Sequence, residues 1–188
     1  MTPSYADSLA RRLRAAHSLY HDAMHSMSLE QVNAVVHPRA LPIAFSLVHQ
    51  VLIEDASRAL VGGPAALFNA TWADRLGLGV AEDGKARSVE EMMDQRIGDV
   101  AAMREFQGQV FALTEEYVAG LATPSLSEIV VAHPLPEVLA HTFSARVAGP
   151  EGLTRADAIE CWIYQHALRH LGEIEHARAL VGLGGMTS

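Results

Sequence analysis

An all-α four-helix bundle is the fold this sequence predicts, and three observations predict it. Apolar residues recur every three or four positions over four long stretches. Alternating strand patterns are nearly absent. The helical stretches are joined by linkers of very different length that carry the Pro and Gly residues. The chain of 188 residues is 49% hydrophobic, enough for a sizeable core, and its length suits one domain over 1–188.

The first helix is predicted from Pro3 to about Ser26, with Thr2 as N-cap and Pro3 in the first turn, where its missing N–H costs nothing. Leu9, Leu13, Ala16, Tyr20, Met24 and Met27 form its apolar stripe. Ser28-x-x-Gln31 is a capping-box pattern that opens a short turn. Pro38 and Pro42 bracket the start of a second helix, from about Pro42 to Val61, which Gly62-Gly63 stops. Pro64 to Arg87, with Gly77, Gly79 and Asp83-Gly84, reads as a long loop holding a short helical piece near Trp72. Ser88-x-x-Glu91 is the predicted start of a third helix that lasts to about Ala119, before Gly120. Its stripe is Val100, Met103, Phe106, Val110, Leu113 and Tyr117. From Leu121 to Leu153 the prolines at 124, 134, 136 and 150 forbid a long helix, leaving short turns and an extended Ile129-Val130-Val131. Thr154-x-x-Asp157 starts the last helix, which ends near Val181 against Gly182.

Composition excludes several classes of function. Lys and Arg total 14 against 22 Asp and Glu, a net charge of -8, which suits no nucleic-acid backbone. The basic cluster Arg11, Arg12, Arg14 reads as a solvated helix face. No apolar stretch approaches the ~20 residues of a membrane span. The N-terminus lacks the apolar region of a signal peptide, so a cytoplasmic protein is expected. A single cysteine, Cys161, leaves no internal disulfide and no cysteine-based zinc finger. HExxH, a Gly-rich phosphate loop and a G-x-S-x-G elbow are absent.

Ten histidines stand out at this length. The stripe of the last helix reads Ile159, Ile163, His166, His170, Ile174, Ala177, Val181, which places two imidazoles at successive turns of one face. Side chains four apart on a helix converge on one metal ion. The competing reading is two core histidines, each bonded to a carbonyl or a carboxylate. On the second helix, Phe45, His49, Leu52, Ala56 and Leu60 form a similar face, and His49 sits where a core residue is expected. His49, His166 and His170 together make a three-ligand site, which leaves coordination positions open for water or substrate. Rival sets carry less. His17, His21 and His25 recur every four residues but lie at the rim of the first helix's stripe. Glu173-x-x-His176 resembles half of a di-iron carboxylate site, but the chain holds no second copy. His37, His133 and His141 fall in or near loops and read as ordinary polar residues.

The run His166-Ala-Leu-Arg-His170-Leu-Gly172-Glu-Ile174 resembles the H-x-x-x-H-x-G-x-I run of the DinB-like superfamily of bacterial helical-bundle metalloproteins. Ser28-Leu-Glu-Gln31-Val-Asn33, followed by a Pro and an apolar helix with His49, resembles that family's first half. The resemblance implies zinc or nickel held by His49, His166 and His170. Several of its branches resemble transferases or isomerases that use a low-molecular-weight thiol, so it also implies a thiol-dependent transferase; the small-molecule substrate stays unnamed. The alternative is a metal-binding or stress-associated interaction protein without turnover, and a third reading is a plain helical domain. Where the family often has Arg and Gln, this chain has Leu171 and Glu173. Glu173 shares the helical face of the histidine pair; its carboxylate enters the metal shell, accepts a hydrogen bond from a ligand imidazole or a metal-bound water, or points to solvent. A homodimer is the expected symmetric outcome.

Overall fold

The computed structural model describes residues 4–83 and 87–186. Four long helical rods form the bundle: α1 (Tyr5–Ser26), α3 (Ile43–Leu60), α6 (Val100–Ala119) and a last rod whose main part is α10 (Gln165–Leu180). Helix α1 packs on α6, α6 on α3, α3 on α10 and α10 on α1, which closes the ring. The all-α expectation therefore stands, with one two-stranded ribbon added. No helix among the described residues is long and apolar enough to cross a membrane.

Local chemistry explains where each rod starts. Ser4 caps α1 through a reciprocal box: Asp7 N–H donates to Ser4 Oγ, and Ser4 N–H donates to Asp7 Oδ2 at 2.9 Å. The expected cap at Thr2 and Pro3 lies outside the described residues, and Ser4 now fills that role. Ser28 and Gln31 form the same box at the head of α2 (Leu29–Asn33). Asn69 caps the short α4 (Ala70–Leu76), the helical piece expected near Trp72.

Ser88 corrects the sequence reading. Its box with Glu91 opens only the single turn α5 (Val89–Met92); the chain then breaks, and Asp99 caps α6 afresh. Tertiary contacts override the helical pattern between them. The Asn33 side chain brackets Ile97, donating to its carbonyl at 2.8 Å and accepting its N–H at 2.9 Å. Gly98 N–H reaches the Leu76 carbonyl at 2.8 Å, and a Cβ on Gly98 would stand 3.0 Å from Gly77 Cα. The core face of α6 is also rotated from expectation: Phe111, Thr114 and Val118 are buried, while Leu113 and Tyr117 are half-buried.

Beyond α6, a 3-10 turn (Thr123–Ser127) leads to β1 (Ile129–Ala132), the extended segment the sequence predicts. Two short helices follow, α7 (Glu137–Ala140) and α8 (Phe143–Val147), and then β2 (Gly152–Thr154). The strands pair antiparallel with a bulge between Ile129 and Val131. Gly152 is required there, with φ at +136° and the Val131 carbonyl 2.1 Å from where a Cβ would sit.

The last rod begins as α9 (Arg155–Ile159), capped by Thr154 and Asp157 as predicted. It then passes through a π turn (Glu160–Tyr164), in which Gln165 N–H bonds the Glu160 carbonyl five residues back, before α10. The wider turn changes which positions face inward. Ile159 and Ile163 are followed in the core by Ala167, Leu171 and Ile174, while His166 and His170 are half-buried beside that stripe. Helix α3 shows a similar correction. Ala56 and Leu60 are exposed, so its expected face runs out to solvent; Leu47, Val51, Glu54 and Arg58 face inward instead. The histidines thus stand along the α3–α10 seam.

Two apolar clusters fill the bundle. One gathers Tyr20, Met24, Leu47, Phe106, Phe111 and Ile174, and the other gathers Leu9, Leu13, Val61, Val118, Ile159 and Ile163. Between them along the rods lie fully buried polar groups: His17 on α1, Glu54 on α3 and Thr114 on α6.

Candidate metal centre

The three sequence-predicted histidines come together. His49 Nε2 and His170 Nε2 each lie 3.2 Å from His166 Nε2, and all three ligand atoms fall within 4.8 Å of one another. Two nitrogens bound to one tetrahedral ion at about 2.0–2.1 Å stand about 3.3–3.4 Å apart. Two of the three separations are close to that spacing. These three histidines lie close enough to hold one.

What lies behind each ring decides its tautomer. His49 Nδ1 meets the Asp83 carbonyl. His166 Nδ1 meets Gln50 Oε1 at 2.6 Å. His170 Nδ1 meets Glu173 Oε2 at 2.7 Å. A carbonyl and a carboxylate only accept, so each Nδ1 carries the proton and donates it. In their Nδ1–H form the rings point Nε2 lone pairs at one another, an arrangement that a cation would relieve. Acceptors of this kind behind ligating imidazoles also raise their basicity. Phe45, one turn before His49, stacks on its ring with centroids 5.2 Å apart and so fixes its plane. Burial pushes the His49 pKa below its ordinary value, although the Asp83 carbonyl opposes this. A ring kept neutral is ready to bind metal.

Of the places the sequence leaves open for Glu173, the hydrogen bond to a candidate ligand imidazole is the one it occupies. Its carboxylate is half-exposed, yet it accepts from both His170 Nδ1 and Ser46 Oγ, the latter at 2.8 Å. Burial alone would raise its pKa, but the hydrogen bonds from His170 and Ser46 hold the carboxyl below its usual range. Glu173→Gln keeps the shape and removes the charge. Metal affinity is expected to fall about 10-fold, the low end for such supporting contacts. Wild-type affinity in that variant would show that the carboxylate has no role at the site.

The rival histidines part company. His17, expected at a rim, is 1% exposed and stacks on Phe111 at 3.9 Å. Its Nδ1–H donates to Glu115 at 2.7 Å, and its Nε2–H faces Glu54 at 3.1 Å. Burial alone would lower its pKa; the two carboxylates outweigh that and raise it to about 9, so the ring is an imidazolium. Its two nitrogens serve different partners, which leaves none for a shared ion with His21 and His25. His25 Nδ1 donates to the His21 carbonyl, and His25 lines a surface depression of 420 Å³ with Asp22, Arg178 and Met186. His176 is exposed.

The sequence pointed to Glu173 behind His170 but not to the groups behind His166 and His49. Gln50 is fully buried, and its Nε2–H donates to Glu54 Oε2 at 3.0 Å. Gln50 and Glu54 lie four apart on α3, and two polar residues at that spacing within an apolar helix were the available signal. The Asp83 carbonyl had none, because backbone contacts leave no trace in side-chain pattern.

No family model and no curated protein matches the chain. Among solved structures, the fold is similar to a conserved protein from Enterococcus faecalis, with a TM-score of 0.74 over 96% of this chain and 98% of that one. The two share 15% identity, so the likeness shows the fold alone.

Proposed function

We propose that this protein binds one divalent metal ion, zinc or nickel, through His49, His166 and His170, and uses it as a thiol-dependent transferase. The observation that carries the reading is the convergence of three Nε2 atoms, each on a ring whose Nδ1 is anchored to an acceptor. A divalent ion held by three imidazoles supplies Lewis acidity in its remaining positions, where a thiol is held as thiolate.

This chain's own residues supply the rest. The Asp83, Gln50 and Glu173 acceptors hold the rings in register, and Phe45 keeps solvent off one face of His49. The half-buried rings at the α3–α10 seam, beside a half-exposed Glu173, favour an open site over a sealed one. The thiol-transferase class follows the resemblance of the His166–Ile174 run to the DinB-like superfamily.

Cobalt substitution tests both parts. The protein, purified without a histidine tag, should take up one cobalt ion per chain, and added small thiols should produce sulfur-to-cobalt charge-transfer absorption. Uptake without any thiol response would leave a metal-binding protein and remove the transferase class. Absence of uptake would remove the metal.

Protonation competes with metal at each ring. Affinity is therefore expected to fall steeply below pH about 6.5, the ordinary histidine value. Burial moves the His49 contribution to lower pH still. Competition with a chromogenic chelator measures this, and flat affinity between about pH 8 and 5 would contradict a three-histidine site.

A further inference from the structure

The buried chain of contacts behind His166 runs across to α1 and ends on α6. Gln50 meets His166 Nδ1 with its oxygen and Glu54 Oε2 with its N–H. Glu54 faces His17, and His17 donates onward to Glu115 on α6, which is 26% exposed. His17, Gln50 and Glu54 are each at least nine-tenths buried. A glutamine amide has no preference of its own between its two ends, since one accepts and the other donates. A carboxylate does have one, because it only accepts.

We propose that Glu54, set between the buried His17 ring and the Gln50 amide, is a remote positioning residue for His166. It selects the orientation of the Gln50 amide and, through it, the imidazole tautomer that turns an unprotonated Nε2 toward His49 and His170. Glu54 Oε2 takes the Gln50 N–H, so only the Gln50 oxygen faces His166. That oxygen takes the Nδ1 proton, and the His166 Nε2 keeps its lone pair. With the amide reversed, its NH2 would meet Nδ1, the proton would move to Nε2, and His166 would be closed to an ion. His17 completes the device. It neutralises a carboxylate that burial would otherwise penalise, and Glu115 steadies the ring from the other side. Charged and titratable neighbours of His17 are Glu54, Glu115 and His21. The inference rests on the proposed metal site for its purpose, but the tautomer it predicts belongs to the metal-free protein.

Glu54→Gln is nearly isosteric and replaces an acceptor-only group with one that also donates, so the selection is lost. Nitrogen-15 NMR of metal-free protein at pH 8 reads the tautomer of each ring. In wild type His166 is expected in the Nδ1–H form alone. In Glu54→Gln both forms are expected, with zinc affinity reduced about 10-fold and a cooperative thermal transition that persists at a lower temperature. The exchanged pair Gln50→Glu with Glu54→Gln puts the acceptor-only group against His166 and the amide behind it. That variant should return His166 to the Nδ1–H form, and it carries the test if Glu54→Gln alone unfolds.

An unchanged tautomer in Glu54→Gln would overturn the proposal. A loss of zinc affinity without a change of tautomer, or an exchanged pair that fails to restore it, would do the same. If wild type takes up no zinc, the proposed function fails, and the tautomer measurements still decide this inference.

Discussion

Alanine at His166 or His170 is expected to reduce bound metal from about one ion per chain to a trace while the protein stays helical. Both side chains reach the cluster from one face of α10, and the His166 Nε2 lies 3.2 Å from each of the other two. Losing His166 therefore removes the ring that joins the remaining pair. Two imidazoles at the edge of a bundle bind ions weakly, so the loss should be visible as metal content after dialysis. The fold should survive, because the core of α10 is carried by Ala167, Leu171 and Ile174. Circular dichroism checks that point. Equal metal content in wild type and both variants would remove the site.

A second large effect is expected at a buried ion pair outside the histidine cluster. Asp55 and Arg58 on α3 are 1% and 0% exposed and form an ion pair at 2.6 Å. Asp55 Oδ2 also accepts the N–H groups of Leu67 and Phe68, both at 2.8 Å, and Arg58 donates to the carbonyls of Ala65 and Val110. The pair thus ties the 64–68 segment to the bundle. Asp55→Ala leaves a buried guanidinium without its counter-charge and two N–H groups without an acceptor. Removing one partner of a buried pair costs about 3–5 kcal/mol. For a chain of this size that lowers the melting temperature by on the order of 10 °C. Glu105→Ala is the contrast, since Arg75–Glu105 is half-exposed on both sides and is worth about 1 kcal/mol or less. Similar melting temperatures for the two variants would contradict this reading of the core.

The difference between these two sites shows what the sequence reveals. His49, His166 and His170 were legible because each is a polar residue on a nearly apolar helical face, and the spacing of four on α10 survives any small rotation of the helix. Their depth was not legible. The π turn at Glu160–Tyr164 adds a residue to one turn, and hydrophobic periodicity does not register where such a turn falls. On α3 the inward face carries Gln50, Glu54 and Arg58, so a reading that equates inward with apolar selected Ala56 and Leu60 instead. Polar residues buried in pairs look like surface residues until their partners are known, and those partners lie on other elements. Ser88 shows the opposite limit. Its capping box is real, but contacts from Asn33 and Leu76 end that helix after one turn.

Crystals of the untagged protein grown with zinc, with data recorded on both sides of the zinc absorption edge, test whether the three Nε2 atoms share one ion. A single anomalous peak about 2.0–2.1 Å from the Nε2 atoms of His49, His166 and His170 is the predicted result. A zinc-free cluster, with zinc elsewhere or absent, would contradict it.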